Sequence, residues 1–599
     1  MVGLSEAADD GLMTSHGGTA SAGEPWRPRP PLTRAGVARL VQAAGVFTIL
    51  TWLLPPRRGG LEVLAEYLPM TGVLTARAAT AVSGALLVYL GAGLRRGKRS
   101  AWRLAVFLAS IGMILHIAKG LDFDAAAVSG ALLAMLVAVH GQFRAVTDPR
   151  SPWRALAAFA GFAGAGFTLG MLEIALRPNR LVGTPGVRLW AEHAALGLVG
   201  APGPLRFRHA LGAEAVSLTT GAFGLLAVGA ATVLLLRHAR RDADERTVEQ
   251  DHRLRELLRR YGTADSLSYF ALRRDKLLMW APSGKAAVPY RVINGVSLAT
   301  GDPIGDQDAW SQAIDAWLAD SARHGWTPAV LGCGPSGGRS YRRSGLDVVE
   351  IGDEAVVDAA GFSLEGRPMR AVRQAVARAK RAGYTSEVIR QRDLPPAALA
   401  EAVRAARQFR DGPVERGFSM ALSRIGDPQD GDCVLVLCHD SSARLRGVLQ
   451  FVPWGDDGLS LDLMRGDRSA VNGVMELMVV SAIEAAPGLG VGRLSLNFAV
   501  LRSVFARAEG LGAGPVLRIW HRLLRLASRF WQIESLYRAN AKYQPEWQSR
   551  YLCFPTARDL PRIAMAVLKA EAFLPTGWRR ARRGDGGASV PSLEPLEVG

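Results

Sequence analysis

The residues near the C-terminus offer the most chemistry. The run Leu536-Tyr537-Arg538-Ala539-Asn540-Ala541-Lys542-Tyr543-Gln544-Pro545-Glu546-Trp547 continues to Arg550 and Tyr551, and packs cations, aromatics and a Pro-Glu-Trp turn into one short span. Cations bind phosphate oxygens, and aromatic rings offer flat faces to a base. That mix suits a site handling an anionic, partly flat substrate better than it suits a plain core helix. Just upstream, residues 515–531 read as a two-faced helix. Arg518, Arg522, Arg525 and Arg529 share one face, and Ile519, Trp520, Leu523, Leu524, Phe530 and Trp531 fill the other. A basic amphipathic helix suits an anionic membrane surface. Packing on the core with a solvated arginine face, or gripping a nucleic-acid backbone, are its other uses.

Composition bounds the partners. The chain has 599 residues, enough for two or three domains, with 72 Lys+Arg against 54 Asp+Glu and a formal net charge of +18. Such an excess favours polyanions, whether nucleic acid or anionic lipid headgroups, although positive loops beside membrane helices account for part of it. Four cysteines give no disulfide framework. Cys433 and Cys438 sit five apart in an apolar run that reads as a strand, hence on opposite faces. Cys333 and Cys553 stand alone, and no metal site is expected. Residues 1–31, rich in Gly, Ser, Ala and Pro, read as a disordered tail.

Apolar runs lie near 40–55, 78–94, 104–118, 125–140, 155–176 and 211–236. They indicate a transmembrane domain over 32–241 with about six helices, several shorter than the roughly 20 residues that cross a bilayer. Abundant Gly and Ala suit close helix packing. Positive charge orients the spans. Arg27, Arg29, Arg34 and Arg39 precede the first; Arg95, Arg96, Lys98, Arg99 and Arg103 separate the second from the third; Arg144, Arg150 and Arg154 separate the fourth from the fifth; Arg237, Arg240 and Arg241 follow the sixth. By the positive-inside rule these segments face the cytoplasm. The expectation is a multi-pass protein of the cell (inner) membrane with both termini cytoplasmic, and with 177–209 as its longest outer loop.

A solvated, charged connector helix is expected at 242–260. Alternating strand and helix signals then indicate an α/β or α+β cytoplasmic region. Strands are expected at 267–272, 277–280, 290–298 and 328–333, and helices at 309–324, 367–382 and 394–409. From 433 the order is strand (433–438), strand (447–454), strand (458–464), helix (472–486), strand (493–498), which resembles the acetyltransferase-type (GNAT) core. Such cores hold a CoA pyrophosphate on Gly-rich backbone amides between the central strand and the next helix. Here that junction reads Arg465-Gly466-Asp467-Arg468-Ser469-Ala470-Val471-Asn472-Gly473, poor in glycine and carrying Asp467. Gly488-Leu489-Gly490-Val491-Gly492 follows a helix and precedes a strand, the wrong context for a cofactor loop. An acyl-CoA donor is therefore disfavoured.

Five motifs in order resemble the phosphatidylglycerol lysyltransferase family, also called the multiple peptide resistance factors, and its actinobacterial branch in particular. They are Phe362-Ser363-Leu364-Glu365-Gly366 with Met369-Arg370; Gly417-Phe418-Ser419-Met420; Leu461-Asp462-Leu463-Met464-Arg465; Leu494-Ser495-Leu496-Asn497-Phe498-Ala499; and Tyr537-Arg538 through Lys542-Tyr543, Pro545, Trp547, Arg550 and Tyr551. The resemblance covers roughly 261–575. It implies two tandem GNAT-like folds, at 261–410 and 411–575, behind the membrane domain and before a disordered basic tail at 576–599. It implies transfer of an amino acid, expected to be lysine, from aminoacyl-tRNA to the headgroup glycerol of phosphatidylglycerol. That exchange lowers membrane negative charge and gives resistance to cationic antimicrobial peptides. No fused lysyl-tRNA synthetase is expected after the last motif, so aminoacyl-tRNA is a co-substrate supplied from elsewhere, and no cofactor is expected. The expected partners are aminoacyl-tRNA, phosphatidylglycerol in an anionic membrane, and a second copy of the chain through the membrane domain. A membrane acyltransferase using acyl-CoA, and a non-catalytic flippase or anchor, are the competing readings.

Ester exchange between two hydroxyls needs a base, donors for the tetrahedral oxyanion and cations for the phosphates. Asp462 is expected to orient or deprotonate the lipid hydroxyl, and Arg465 and Lys542 to bind lipid or tRNA phosphate or steady the oxyanion. Arg538 and Arg550 hold phosphate, Tyr537 and Tyr543 stack on the terminal adenine, and Ser419 and Asn497 contact substrate. Arg518, Arg522, Arg525 and Arg529 then touch membrane or tRNA. The alternative for Asp462 with Arg465 is a structural ion pair. Positions three apart in a regular strand face opposite ways, so a shared role needs a bend after Leu463. The helix 367–381, with Arg367, Arg370, Arg373, Arg378, Lys380 and Arg381, is likewise open to tRNA, a solvated face being its alternative. Arg579, Arg580, Arg582 and Arg583 are expected to touch lipid headgroups.

Overall fold

The computed structural model describes residues 33–53, 70–118, 123–143, 145, 151–201, 203–208, 210–235, 246–410, 417–500 and 538–573. Tyr537, the arginines Arg518, Arg522, Arg525 and Arg529, and both expected tails lie outside the described residues. The chain divides into two units, one of 1–95 with 104–142 and one of 96–103 with 143–599.

The first unit is helical: α1 (Arg34–Leu53), α2 (Met70–Arg95), most of α3 (Arg99–Ala118) and α4 (Phe123–Ala138). Each coincides with an apolar run of the sequence. Helices α1 and α2 meet through glycine. A Cβ on Gly45 would lie 2.7 Å from Gly84 O, and one on Gly84 would lie 2.8 Å from Gly45 O. The backbones approach this closely because neither position carries a side chain.

The second unit opens with α5 (Ser151–Leu176), α6 (Val187–Leu198) and α7 (Ala210–Leu235). Helix α6 lies in the stretch read as the longest outer loop. The segments Pro152–Leu176 and Ala215–Leu235 are long and apolar enough to cross a membrane. Leu156, Leu172, Leu176, Leu218 and Leu225 on them are exposed, an apolar surface that suits lipid rather than water.

Helix α8 (Val248–Tyr261) starts at a capping box of Thr247 and Gln250. It is docked rather than solvated. Leu254, Leu257 and Leu258 form an apolar stripe buried against Phe270, Val452 and Ile563, as their spacing of three and four dictates.

Beyond it, among the described residues, twelve strands form one sheet: β1 (Leu277–Trp280), β2 (Ala286–Ile293), β3 (Val296–Thr300), β4 (Ile304–Gly305), β5 (Thr327–Cys333), β6 (Asp347–Asp358), β7 (Thr385–Arg390), β8 (Val434–His439), β9 (Leu445–Trp454), β10 (Gly458–Gly466), β11 (Arg493–Val500) and β12 (Glu546–Phe554). The order is β1-β2-β3-β5-β12-β6-β11-β10-β9-β8-β7, with β4 on β2. The accompanying helices are α9 (Trp310–His324), α10 (Pro335–Arg343), α11 (Arg370–Arg381), α12 (Pro396–Gln408), α13 (Val474–Ala485) and α14 (Leu560–Ala570). A pattern occurs twice. Antiparallel β1-β2-β3 lead through α9 to β5, parallel to β3. Antiparallel β7-β8-β9-β10 lead through α13 to β11, parallel to β10. Parallel neighbours need such a crossover helix. The closing strands are exchanged: β6 pairs with β11, β12 pairs with β5, and β6 and β12 pair with each other. The sheet therefore runs unbroken past the expected boundary at 410/411.

The strand, strand, strand, helix, strand order read from 433 to 498 is found as β8, β9, β10, α13 and β11, a GNAT-like arrangement. Elsewhere the local reading needed correction. Residues Ser268–Leu272 form a 3₁₀ turn, not a strand. The expected strand 290–298 is two strands broken at Asn294-Gly295, with φ of 52° and 73°, the pair favoured in a two-residue hairpin turn. Strands β6, β7 and β12 and helices α10 and α14 were not anticipated. Cys333 and Cys553 do not stand alone, for their Sγ atoms are 3.4 Å apart across β5 and β12. Cys433 and Cys438 are buried in different clusters, as opposite faces require.

Candidate functional site

The site begins where two parallel strands part. Strands β10 and β11 pair only at Gly458↔Arg493, Leu459↔Leu494 and Ser460↔Ser495. Past that point each is irregular: β10 shifts register between Leu461 and Leu463, and β11 between Ser495 and Phe498. An extra residue bends a strand away from its ladder, so facing irregularities splay the pair. Side-chain amides satisfy carbonyls at the gap. Asn497 Nδ2 donates to Leu461 O at 2.6 Å, and Asn540 Nδ2 donates to Leu496 O at 3.1 Å. Asn497 has φ of 69°, which Asn tolerates better than most residues.

A pocket of about 770 Å³ occupies the opening. Leu461, Asp462 and Met464 line it from β10, and Leu496 and Asn497 from β11. The β10–α13 loop contributes Asp467, Arg468 and 470–473, and helix α13 contributes Glu476. Asn540, Lys542 and Tyr543 close it, and Met420 reaches in from a separate strap. Helix α13 is apolar almost all round and buries Val474, Leu477, Met478, Val480 and Ile483. Burying such side chains stabilises by about 1.5–3 kcal/mol each, which anchors the wall that carries Glu476.

Charge in the pocket is paired and directed. Asp462 Oδ1 accepts a hydrogen bond from Leu422 N–H at 2.6 Å. Lys542 Nζ donates to Glu476 Oε1 at 2.6 Å and lies 5.3 Å from the Tyr543 ring centroid. Burial pushes the Glu476 carboxyl up, but the hydrogen bond from Lys542 and the charges of Lys542 and Arg378 outweigh it and hold the group below the usual carboxylate range. Asp467 accepts from Ser469 N–H at 2.9 Å and Ser469 Oγ at 2.8 Å, and its other oxygen pairs with Arg446. The β10–α13 loop is thus folded around its own carboxylate.

Of the residues expected in the site, Asp462, Asn497, Lys542 and Tyr543 come together. Tyr543 is 4 % exposed and packs in the core beside Leu477 and Leu496, so its ring is not an open stacking face. Arg465 is not among the lining residues. The irregularity falls at Asp462 itself rather than after Leu463, and alternation then resumes. Asp462 and Met464 face the pocket, while Leu463 packs in the cluster with Ala402 and Leu435. Arg550 does not hold phosphate here. It is 4 % exposed, with Nη1 2.6 Å from Asp265 Oδ1 and Nη2 on Glu354 and Ser266. Buried carboxylates already claim its charge. Ser419 is buried too, donating from Oγ to Glu571 Oε1 at 2.7 Å. Arg538 is exposed on a helical segment and does not line the pocket. Glu476, Asn540, Asp467 and Met420 were missed. Glu476 had a signal, an acid in the first turn of an otherwise apolar helix. Asn540 lay inside the C-terminal run but was passed over for its cations.

Comparison with known proteins gives the family of the chain. The family description "Phosphatidylglycerol lysyltransferase, C-terminal" matches residues 255–554, and "Transmembrane region of lysyl-tRNA synthetase" matches residues 33–236, a membrane region. The lysylphosphatidylglycerol biosynthesis bifunctional protein LysX of Rhodococcus opacus (strain B4) is 41 % identical over 580 residues, covering 94 % of this chain and 51 % of that protein. The protein of the same name from Mycobacterium avium (strain 104) is 43 % identical over 501 residues, covering 82 % and 42 %. The chain spans about half the length of the curated relatives it matches. Among solved structures, L-PGS from Bacillus licheniformis is 20 % identical, with 54 % of this chain and 97 % of that chain covered and a TM-score of 0.48. The match over half of its length, 255–554, places this chain in the phosphatidylglycerol lysyltransferase family.

Proposed function

We propose that this protein transfers an aminoacyl group, lysyl in the first instance, from aminoacyl-tRNA to a glycerol hydroxyl of phosphatidylglycerol in the pocket between β10 and β11. The observation that carries this reading is the meeting of Asp462, Lys542 and Asn497 at the splayed strands of a family member. The lipid hydroxyl attacks the ester carbonyl and Asp462 accepts its proton. The bond from the carbonyl carbon to the terminal ribose oxygen breaks, and that oxygen takes up the proton that Asp462 accepted, which restores the carboxylate. Lys542, kept charged and aimed by Glu476, steadies the oxyanion. One ester replaces another, so the reaction needs no energy source and no cofactor besides the charged tRNA. An acyl-CoA donor fits less well, because Asp467 already engages the Ser469 amide of the loop where a pyrophosphate would be cradled. The tRNA has a suitable approach along α11. That helix buries Val372, Val376 and Ala379 and exposes Arg370, Arg373, Arg378, Lys380 and Arg381. It abuts the pocket loop so closely that a Cβ on Gly473 would lie 2.4 Å from Ala375 O. Exposed cations beside a reaction site suit a phosphate backbone.

On this reading the sheet is two GNAT-like folds in tandem, and the membrane region crosses the inner membrane six times with both termini cytoplasmic. Each added lysyl group lowers the negative charge of the membrane and so its attraction for cationic peptides. A second copy of the chain would associate through the membrane region. The test uses the full chain in phosphatidylglycerol vesicles with radiolabelled aminoacyl-tRNAs. RNase-sensitive passage of lysyl label into lipid, lost in Asp462→Asn, is the expected result. Labelling that requires acyl-CoA, or no transfer from any aminoacyl-tRNA, would overturn it.

A further inference from the structure

Asp462 is held by a strap, residues 417–422, that comes from outside the pocket walls. The strap is bounded by two left-handed residues, Gly417 with φ of 94° and Ser423 with φ of 61°. Its Leu422 N–H donates to Asp462 Oδ1 at 2.6 Å and its Met420 lines the pocket. Contacts from three residues hold the strap between them. Arg273 Nη1 donates to Gly417 O and, at 3.0 Å, to Ala421 O. Glu571 accepts from Phe418 N–H at 2.6 Å, Ser419 N–H at 3.1 Å and Ser419 Oγ at 2.7 Å. Lys276 Nζ lies 4.9 Å from the Phe418 ring centroid. Glu571 is the C-cap of α14, where the helix dipole opposes a carboxylate. Three donors from the strap offset that cost, so the strap explains the acid's place.

We propose that Glu571 and Arg273 are positioning residues for Asp462, fixing through strap 417–422 where its carboxylate stands in the pocket. This rests on the transferase reading above. Neither residue lines the pocket, so neither is expected to bind substrate. The strap amide stabilises the charged carboxylate, as any hydrogen bond to the ionised form does. Loosening the strap misplaces Asp462 and removes that bond.

The experiment measures kcat and KM against pH for the full-length wild type, Glu571→Gln and Arg273→Lys in phosphatidylglycerol vesicles with lysyl-tRNA. Glu571→Gln puts an amide donor against a strap donor, and Arg273→Lys removes the fork. The expected result is a loss in kcat of up to about 10²-fold, KM values within about twofold of wild type, and an acidic limb of the pH–rate profile moved to higher pH in both variants. Ser419→Ala, which removes one bond, gives a smaller change in the same direction and serves if Glu571→Gln does not fold. An unmoved acidic limb and kcat in folded Arg273→Lys and Ser419→Ala, with the wild type active, would overturn the inference alone. A wild type that transfers nothing would overturn the transferase reading, and the inference with it.

Discussion

The same strand–helix–strand unit occurs twice in this sheet, closed in one place and open in the other. In the first, β3 and β5 stay paired over five positions, from Val296↔Thr327 to Thr300↔Leu331. Gly301 N–H extends the ladder to Leu331 O at 3.1 Å, and every residue of β3 is buried. The site past its end is filled from within. Asp302 accepts from Gly334 N–H at 2.7 Å and Gly337 N–H at 3.1 Å at the start of α10. Burial and the Asp265 charge push the Asp302 carboxyl up, against Arg550 and those two amides, to about 7. In the second, β10 and β11 separate after three pairs, and the gap holds a pocket whose lining includes Asp462, Lys542, Asn497 and Asn540. Strand β5 is irregular past its ladder too, between Leu331 and Cys333 against β12, so the irregularity of β10 at Asp462 is what separates a structural core from a candidate active site on a common plan.

The comparison can be broken most sharply at its two aspartates. On the proposed mechanism Asp462→Asn removes a positioned base and is expected to lower transfer by about 10²–10⁴-fold, while Asp302→Asn, at the closed site, leaves the rate within a few-fold. Equal losses from both, measured as label entering lipid, would mean the two openings are not functionally different. The next largest effect tests the junction between the units. Arg550→Met leaves the buried carboxylates of Asp265 and Glu354 without their cation, at a cost of about 3–5 kcal/mol. A marked fall in the apparent melting temperature of the detergent-solubilised chain is expected. Weaker lipid or tRNA affinity at an unchanged melting temperature would instead restore the phosphate role first expected of it.

A smaller effect concerns Lys276, fully buried beside the closed unit with Nζ donating to Thr300 Oγ1 at 2.8 Å. Burial and the Arg273 charge pull its amine down to about 7, against Asp275 and Glu571, from 10.5. A lowered folded value means that the unfolded chain binds the extra proton between about 7 and 10.5. Stability therefore rises with pH across that window, and below it the penalty of a buried ammonium is fully present. Melting temperatures taken through the window should climb in the wild type and flatten in Lys276→Met. A wild-type curve as flat as the variant's would show that the amine is not shifted.

Much of the architecture was legible locally. Apolar runs marked the helices α1 to α5 and α7, because a long unbroken apolar run is a local property of the sequence. The β8-to-β11 order was legible because these strands are short apolar runs separated by turns. What failed failed for stated reasons. Strand β12 carries Arg550 and Tyr551, and its charge made a buried central strand look like an exposed site. The Asn294-Gly295 hairpin was read through as one strand.

The sequence by itself determined a basic chain with a membrane region, a GNAT-like order and the residue types Asp462, Asn497 and Lys542, since periodicity, charge and motif are local properties. Only the tertiary structure decided which of them meet. Asp462 and Lys542 are separated by 79 intervening residues, and Arg550 lies eight beyond Lys542 yet finds its partners at Asp265 and Glu354. Strand exchange and two irregularities fixed that outcome, because sheet pairing is a non-local contest among edges that no short window of sequence records.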